Sequence, residues 1–191
     1  MKIIVYPTDT VWGIGCDIYN EDLVKKIHFI KKSDETKPMS ILFPSIDDLL
    51  DRLNGSFPFS KEWLERFFSL QSTLLIPKSF FKKEIPSWVL ADSSFVSVRF
   101  LKNKAIDLIF SKLSSPIVST SLNITGEKPI VEQGDALTFF KQYIAPQGDF
   151  FSNEESSLSG ASSTIVKYEN DHFVILREGH LVDDIKKLLK L

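Results

Sequence analysis

Lys2-Ile3-Ile4-Val5-Tyr6-Pro7-Thr8-Asp9-Thr10-Val11-Trp12-Gly13-Ile14-Gly15 opens the chain and already points to a fold class. Lys2 to Tyr6 is short, β-branched and aromatic, the composition of a strand, and Pro7, which has no N–H to give a ladder, stops it. Pro7 to Gly15 then reads as a turn-rich loop carrying two threonine hydroxyls, a carboxylate and two glycines that let backbone amides approach a ligand. Asn20 can cap a helix whose first turn carries Glu21 and Asp22 at the positive end of its dipole. Leu23, Ile27 and Ile30, with Val24 beside them, recur at helical spacing and face a core. A strand feeding a polar loop and then a helix is the repeating unit of an α/β protein.

Outward from this stretch the alternation continues. Met39 to Phe43, Thr73 to Ile76, Phe95 to Phe100, Ile117 to Thr120, Thr164 to Lys167 and Phe173 to Leu176 read as strands. Ser45 with Asp48 forms a capping box for a short helix through Leu53, and Ser60 caps another from Lys61 to about Phe68. Lys104 to Leu113 and Leu181 to Leu189 have helical apolar spacing. Ser152 to Ser163, rich in serine with Asn, Gly and two Glu, is loop composition and the best place for a moving segment. Without an internal repeat or a linker, residues 1–191 are expected to form one domain.

Composition narrows the function. With 191 residues, 43% hydrophobic and 25% charged, the chain is an ordinary globular one, and a formal charge of −2 argues against a protein that coats nucleic acid through a general field. Cys16 is the single cysteine, which removes an intrachain disulfide and a thiolate zinc cluster. His28, His172 and His180 are scattered without metal-ligand spacing. The opening apolar run is too short for a signal peptide, and no uncharged stretch reaches the ~18 residues of a membrane span. The cytoplasm is the expected location, with no membrane contact.

Four segments concentrate polar groups at strand ends. Thr8-Asp9-Thr10 is one, read either as a ligand loop or as an ordinary turn. Lys31-Lys32-Ser33-Asp34-Glu35-Thr36-Lys37 places cations at a helix C-terminus, where they neutralise a polyphosphate or simply form a solvated face favoured by the dipole. Ser119-Thr120-Ser121-Leu122-Asn123 follows an apolar strand and crowds hydroxyls at a sheet edge, the place where open α/β sheets bind ligands. Arg99 and Arg177 each end an apolar strand, and a guanidinium there wants an anionic partner, a carboxylate or a phosphate. Neither a Walker loop nor a G-x-G-x-x-G turn occurs, so an ATP site must be built differently.

Taken in order, these segments resemble the YrdC/TsaC family of threonylcarbamoyl-AMP synthases. The pattern P-T-D/E-T-x-Y-G-hydrophobic-G stands here as Pro7 to Gly15, V-x-V-R as Val96 to Arg99, and P-hydrophobic-V-S-T-S-A-N-x-S-G as Pro116 to Gly126. The block I-K-G-R-P-x-x-x-P-L aligns with Ile30 to Met39, S-T-V/I-V with Ser163 to Val166, and R-x-G with Arg177 to Gly179. The departures are Ser33 in place of the K-x-R arginine, Ser69 to Gln71 in place of the P-G-P turn, and Asn103 in place of a histidine.

The resemblance implies a twisted, mostly open mixed sheet flanked by helices around a concave basic cavity. It implies a nucleotidyltransferase that turns L-threonine, bicarbonate (or CO₂) and ATP into threonylcarbamoyl-AMP and pyrophosphate. The product goes to a separate transferase complex that modifies tRNA, with RNA contact left open. The alternative is a noncatalytic nucleotide- or RNA-binding relative. Carried over by position, Lys31, Arg99 and Ser121 become the catalytic candidates, and Thr8, Thr10 and Thr73 the threonine-binding ones. Lys31, Lys37, Ser119, Ser121, Asn123 and Arg177 become the nucleotide-binding set. Mg²⁺ is expected on the ATP phosphates without a dedicated metal site, and Ser152 to Ser163 is expected to close over the labile adenylate.

Overall fold

The opening apolar run forms β1 (Ile3–Pro7), but the stretch after it is more than a loop: Trp12–Asp17 is a second strand, β2, buried along its whole length. The two pair antiparallel, Ile4 opposite Gly15 and Tyr6 opposite Gly13, leaving Thr8 to Val11 as the turn. Glycine is depleted in strands, which is why the sequence reads as a loop here. Its presence has a packing cause. A Cβ on Gly15 would stand 2.2 Å from the Val118 carbonyl oxygen of the next strand, and one on Gly13 would meet the Tyr6 ring at 3.0 Å. Gly15→Ala is therefore expected to destabilise the protein by about 3 kcal/mol, the upper end of overpacking costs. The check is the midpoint of urea denaturation.

The computed structural model describes residues 2–152 and 158–191. After β2 come α1 (Glu21–Lys31), β3 (Ser40–Leu42), α2 (Ile46–Arg52), α3 (Lys61–Ser69), β4 (Ser72–Pro77), α4 (Ser87–Leu90), β5 (Phe95–Arg99) and α5 (Lys104–Lys112). Beyond them lie β6 (Ile117–Ser121), α6 (Gln133–Tyr143), β7 (Gly148–Phe150), β8 (Thr164–Glu169), β9 (His172–Arg177) and α7 (Val182–Leu189). The expected caps are in place: Asn20, Ser45 and Ser60 side chains accept from Leu23, Asp48 and Trp63 amides at 3.0, 2.9 and 3.3 Å. Helix α6 is not evident from sequence, because Gly134 and Thr138 weaken its helical propensity and it buries only Ala136 and Phe139. Nor are β7, three residues paired with β1, and the single-turn α4.

The strands form one mixed sheet in the order β7-β1-β2-β6-β3-β5-β4-β8-β9. Pairs β1/β7, β3/β5 and β4/β8 are parallel and the others antiparallel. Period-two alternation sends Ile3, Val5, Ile14, Ile41, Leu74, Val98, Val118 and Val166 to one face, where they pack with residues of α1, α2, α3, α4, α6 and α7. On the other face Ile4, Tyr6, Leu42 and Ile117 pack under Ala105, Ile106 and Ile109 of α5. One face is thus covered by a helix layer, while among the described residues the other carries α5. Among the described residues no helix is long and apolar enough to cross a membrane.

Candidate active site

The same alternation that loads the helix-covered face with Val and Ile puts the polar residues of those strands on the opposite one. Gly13, Ser40, Thr73, Arg99, Ser119, Ser121, Ile165 and Arg177 border one cavity of about 190 Å³ on the face that carries α5. The β1–β2 turn closes one side with Thr8, Thr10, Val11 and Trp12, and Ser162 and Ser163 close another. Pro38, Met39 and Pro129 complete its apolar part. Residues from distant parts of the chain meet there because strand order, not chain order, sets who is adjacent: β6 lies between β2 and β3, and β8 beside β4.

The hydroxyls are held in place. Thr8 Oγ1 donates to the Val11 carbonyl at 2.6 Å, accepts the Thr10 and Val11 amides, and lies 3.0 Å from Thr10 Oγ1. It is the pin of the turn as well as part of the cavity wall. Tyr6, whose ring lies over Gly13, donates its hydroxyl to Ser119 Oγ at 2.7 Å. Complete burial pushes the Tyr6 phenol up, so it stays a donor. Thr73 and Ser163 hydroxyls are 2.9 Å apart, and Ser121 donates to Asn123 Oδ1 at 2.6 Å.

The two arginines supply the charge. Arg99 Nη2 donates to Asp9 Oδ1 at 2.6 Å, while its Nε is buried without a partner. Arg177 donates from Nε to the Ser163 carbonyl at 3.0 Å and from Nη2 to the Ser163 hydroxyl at 3.1 Å. Burial, and then the like charge of Arg99, hold Arg177 below the usual guanidinium range. Two desolvated guanidiniums close enough to feel each other, one with an idle buried donor, describe a site for an anion.

Not every residue expected at the site lines the cavity. Thr8, Thr10, Thr73, Arg99, Ser119, Ser121 and Arg177 do. Lys31, Lys37 and Asn123 do not. Lys31 ends α1 in the helix layer, only 6% exposed, and its ammonium donates to the carbonyls of Ser121 and Asn123 and to Asn123 Oδ1, the last two at 2.9 and 3.3 Å. Its three N–H donors have three protein acceptors, and burial draws its pKa down to about 8. Asn123 is spent likewise, its Nδ2 donating to the carbonyls of Ile124 and Glu127 at 2.8 and 2.9 Å. Lys37 is exposed on the loop leading to Pro38. Ser33 turns inward to His28 Nδ1 at 2.9 Å.

Several cavity residues were not singled out from sequence. Ser40 faces Ser97 at 2.7 Å between their hydroxyls, and a period-two reading of β3 was the available signal. Ser163 belongs to the S-T-V/I-V block, yet only the fold shows it clasping Arg177. Gln71 does not line the cavity, but its Nε2 donates to the Asp9 carbonyl behind it at 3.0 Å, a contact with no sequence signal. Of the expected closing segment, Ser159 and Gly160 donate backbone bonds to the carbonyls of Asp9 and Thr10 at 3.3 and 2.8 Å, and residues 153–157 lie outside the described residues. No group of three or more His, Cys, Asp or Glu that could hold a metal ion occurs among the described residues.

Comparison with known proteins agrees with this architecture. A threonylcarbamoyl-AMP synthase of Pseudoalteromonas atlantica is 32% identical over 145 residues, covering 75% of this chain and 76% of that protein. One of Acinetobacter baumannii is 29% identical over 164 residues, covering 82% and 85%. Among solved structures, P. abyssi Sua5 complexed with L-threonine superposes with a TM-score of 0.80 at 24% identity over 98% of this chain. The chain spans only about half of that protein, 54%. E. coli YciO superposes with a TM-score of 0.69 at 21% identity, over 93% of this chain and 83% of that one. The Sua5/YciO/YrdC family model, described by the words telomere recombination, matches residues 2–179, and the chain belongs to that family.

Proposed function

We propose that this protein is a threonylcarbamoyl-AMP synthase. Its reaction joins L-threonine, bicarbonate or CO₂, and ATP, and releases pyrophosphate. The observation that carries the reading is a single cavity bordered by Arg99 and Arg177 and floored by the hydroxyls of Thr8, Thr10, Thr73, Ser119 and Ser121. The identity to proteins named for this activity and the threonine complex of a structural neighbour support it.

In this reading the threonine amine attacks the carbon of CO₂ and gives up a proton to solvent, or attacks bicarbonate, whose departing hydroxide takes that proton and leaves as water. A carbamate oxygen then attacks the α-phosphorus of ATP, the bond to the bridging oxygen breaks, and pyrophosphate leaves with the electron pair. The chain has little covalent work in such phosphorus chemistry; it positions groups and neutralises charge. Thr8, Thr10 and Thr73 hold the amino acid by hydroxyl bonds. Arg99 and Arg177 take the anionic oxygens, Arg99 through donors other than the Nη2 that binds Asp9. Ser119 and Ser121 face the nucleotide, with Asn123 and Lys31 acting on it through Ser121. Lys37, on the exposed loop before Pro38, meets phosphate oxygens at the mouth.

Mg²⁺ belongs to the nucleotide in this reading. The cavity wall offers hydroxyls and guanidiniums rather than carboxylates, and Asp9 already binds Arg99, so phosphate oxygens and water hold the ion. The adenylate passes to a transferase complex acting on tRNA in the cytoplasm.

The test is pyrophosphate release from ATP and Mg²⁺, with threonine and bicarbonate omitted in turn. Release that requires both is expected. ATP binding without release at high enzyme concentration would mean the noncatalytic nucleotide-binding alternative instead.

A further inference from the structure

We propose that Asp9 is a positioning residue: it fixes the Arg99 guanidinium at the anion end of the cavity and ties it to the strand-end segment that holds Arg177. The proposal deepens the synthase reading and rests on it. Asp9 sits between the two cavity threonines, but its own carboxylate turns away from the cavity toward Arg99.

Three observations converge on this residue. The first is the ion pair. Arg99 Nη2 and Asp9 Oδ1 are 2.6 Å apart, with side chains 10% and 28% exposed, a charge-assisted bond within a mostly buried wall. The carboxylate engages one end of a rigid fork and leaves the buried Nε unpartnered. A guanidinium has five N–H donors, so an anion can bind it without displacing Asp9.

The second is what lies behind the pair. Asp9 also borders a neighbouring cavity of about 500 Å³, bounded by Glu65, Phe68, Phe100, Lys102 and Asn103. The Asp9–Arg99 pair therefore stands at the wall between two spaces, and the side chain of Arg99 lines only the smaller one. Arg99 and Arg177 are close enough for their like charges to interact. The carboxylate offsets part of that repulsion and fixes one end of the fork, holding the guanidinium in the wall of the smaller cavity.

The third is the backbone. The Asp9 carbonyl accepts Gln71 Nε2 at 3.0 Å and the Ser159 amide at 3.3 Å, and the adjacent Thr10 carbonyl accepts the Gly160 amide at 2.8 Å. Ser159 and Gly160 lead directly into Ser162 and Ser163, which line the cavity, and Ser163 holds Arg177 through both its carbonyl and its hydroxyl. One residue thus registers the opening turn, the turn before β4 and the approach to β8 against each other. The side chain sets one arginine and the main chain sets the segment that sets the other.

The test compares wild type, Asp9→Asn, Arg99→Lys and the double variant. ATP affinity is measured by calorimetry, kcat and KM by pyrophosphate release, and folding by thermal melts. Asp9→Asn keeps the backbone bonds and is nearly isosteric, so its melt is expected to stay close to wild type. ATP binding should weaken roughly tenfold and kcat/KM fall by about 10²-fold, the cost of a misplaced group. The double variant should be no worse than Arg99→Lys alone, since Asp9 acts through that arginine. Tighter ATP binding by Asp9→Asn would overturn the proposal and make the carboxylate a competitor of the substrate anion. Additive losses would overturn it too, as would a lowered melting temperature with unchanged nucleotide parameters. A wild type that binds ATP but releases no pyrophosphate defeats the synthase reading alone, because the coupling is still read from the affinities. A wild type that does not bind ATP defeats both.

Discussion

Arg99→Ala is expected to lower kcat/KM for pyrophosphate release by about 10³-fold, the scale lost when a preorganised cation is removed from a developing phosphoryl charge. Three features make this the largest functional effect. Arg99 is one of two cations bordering the cavity among the described residues. Its guanidinium is nearly dry, so its field at a phosphate is screened far less than that of a surface cation. Asp9 holds it through Nη2, so a substrate oxygen binds its other donors without breaking that bond first. Arg99→Lys should recover only part of the loss, because an ammonium has no planar fork. The structural cost is modest: Asp9, left without its partner, is 28% exposed and can hydrate. Steady-state kinetics beside a thermal melt separate the two contributions. An unchanged kcat/KM in a folded Arg99→Ala would remove the phosphate role from the cavity.

Lys31→Met is expected to act mainly on stability, by about 2–4 kcal/mol. It strips a donor from the Ser121 and Asn123 carbonyls, and each buried acceptor left bare costs about 1–3 kcal/mol. Activity should fall with it, since Ser121 at the cavity and the loop after β6 are both anchored by that ammonium. The effect also depends on pH. Burial sets the folded pKa of Lys31 at about 8, below the ~10.4 of an unfolded lysine. Between those values the unfolded chain holds more of this proton than the folded one, so unfolding free energy rises with pH across that window, by up to about 1.4 kcal/mol per unit. Below pH 8 both states carry the proton and the full cost of burying the charge is present. The stability gap between wild type and Lys31→Met should therefore widen from about pH 8 to about pH 10 in urea melts. A gap that narrows over that range, or a variant that loses ATP affinity with unchanged stability, would put the ammonium on the phosphates rather than on the carbonyls.

The contrast between these two residues shows how far sequence patterns reach. Arg99 ends an apolar strand, and the rule that a guanidinium there needs an anionic partner, a carboxylate or a phosphate, meets a carboxylate in Asp9. Lys31 lies in a lysine-rich run at a helix end, where the pattern cannot tell a solvated cation from one turned inward. The deciding fact is the approach of α1 to the end of β6, ninety residues further along the chain. The caps at Asn20, Ser45 and Ser60 were readable because they depend on bonds three residues long. β2 was not, because the glycines that weaken it locally are required by β6 beside it.

Short-range spacing and burial, which any reader of the chain can see, were enough for the alternation of strands and helices, the caps, most of the core, and the residue types at strand ends. Sheet order was not among them. Long-range packing alone set that order, and with it brought Thr8, Thr73, Arg99, Ser121 and Arg177 to one hollow while Lys31 and Asn123 brace it from outside. The physical reason is that a strand's pattern states which face is buried but not which neighbour it will pair with. That choice is made by contacts far apart in the chain, such as Gly15 against Val118 and Asp9 against Arg99.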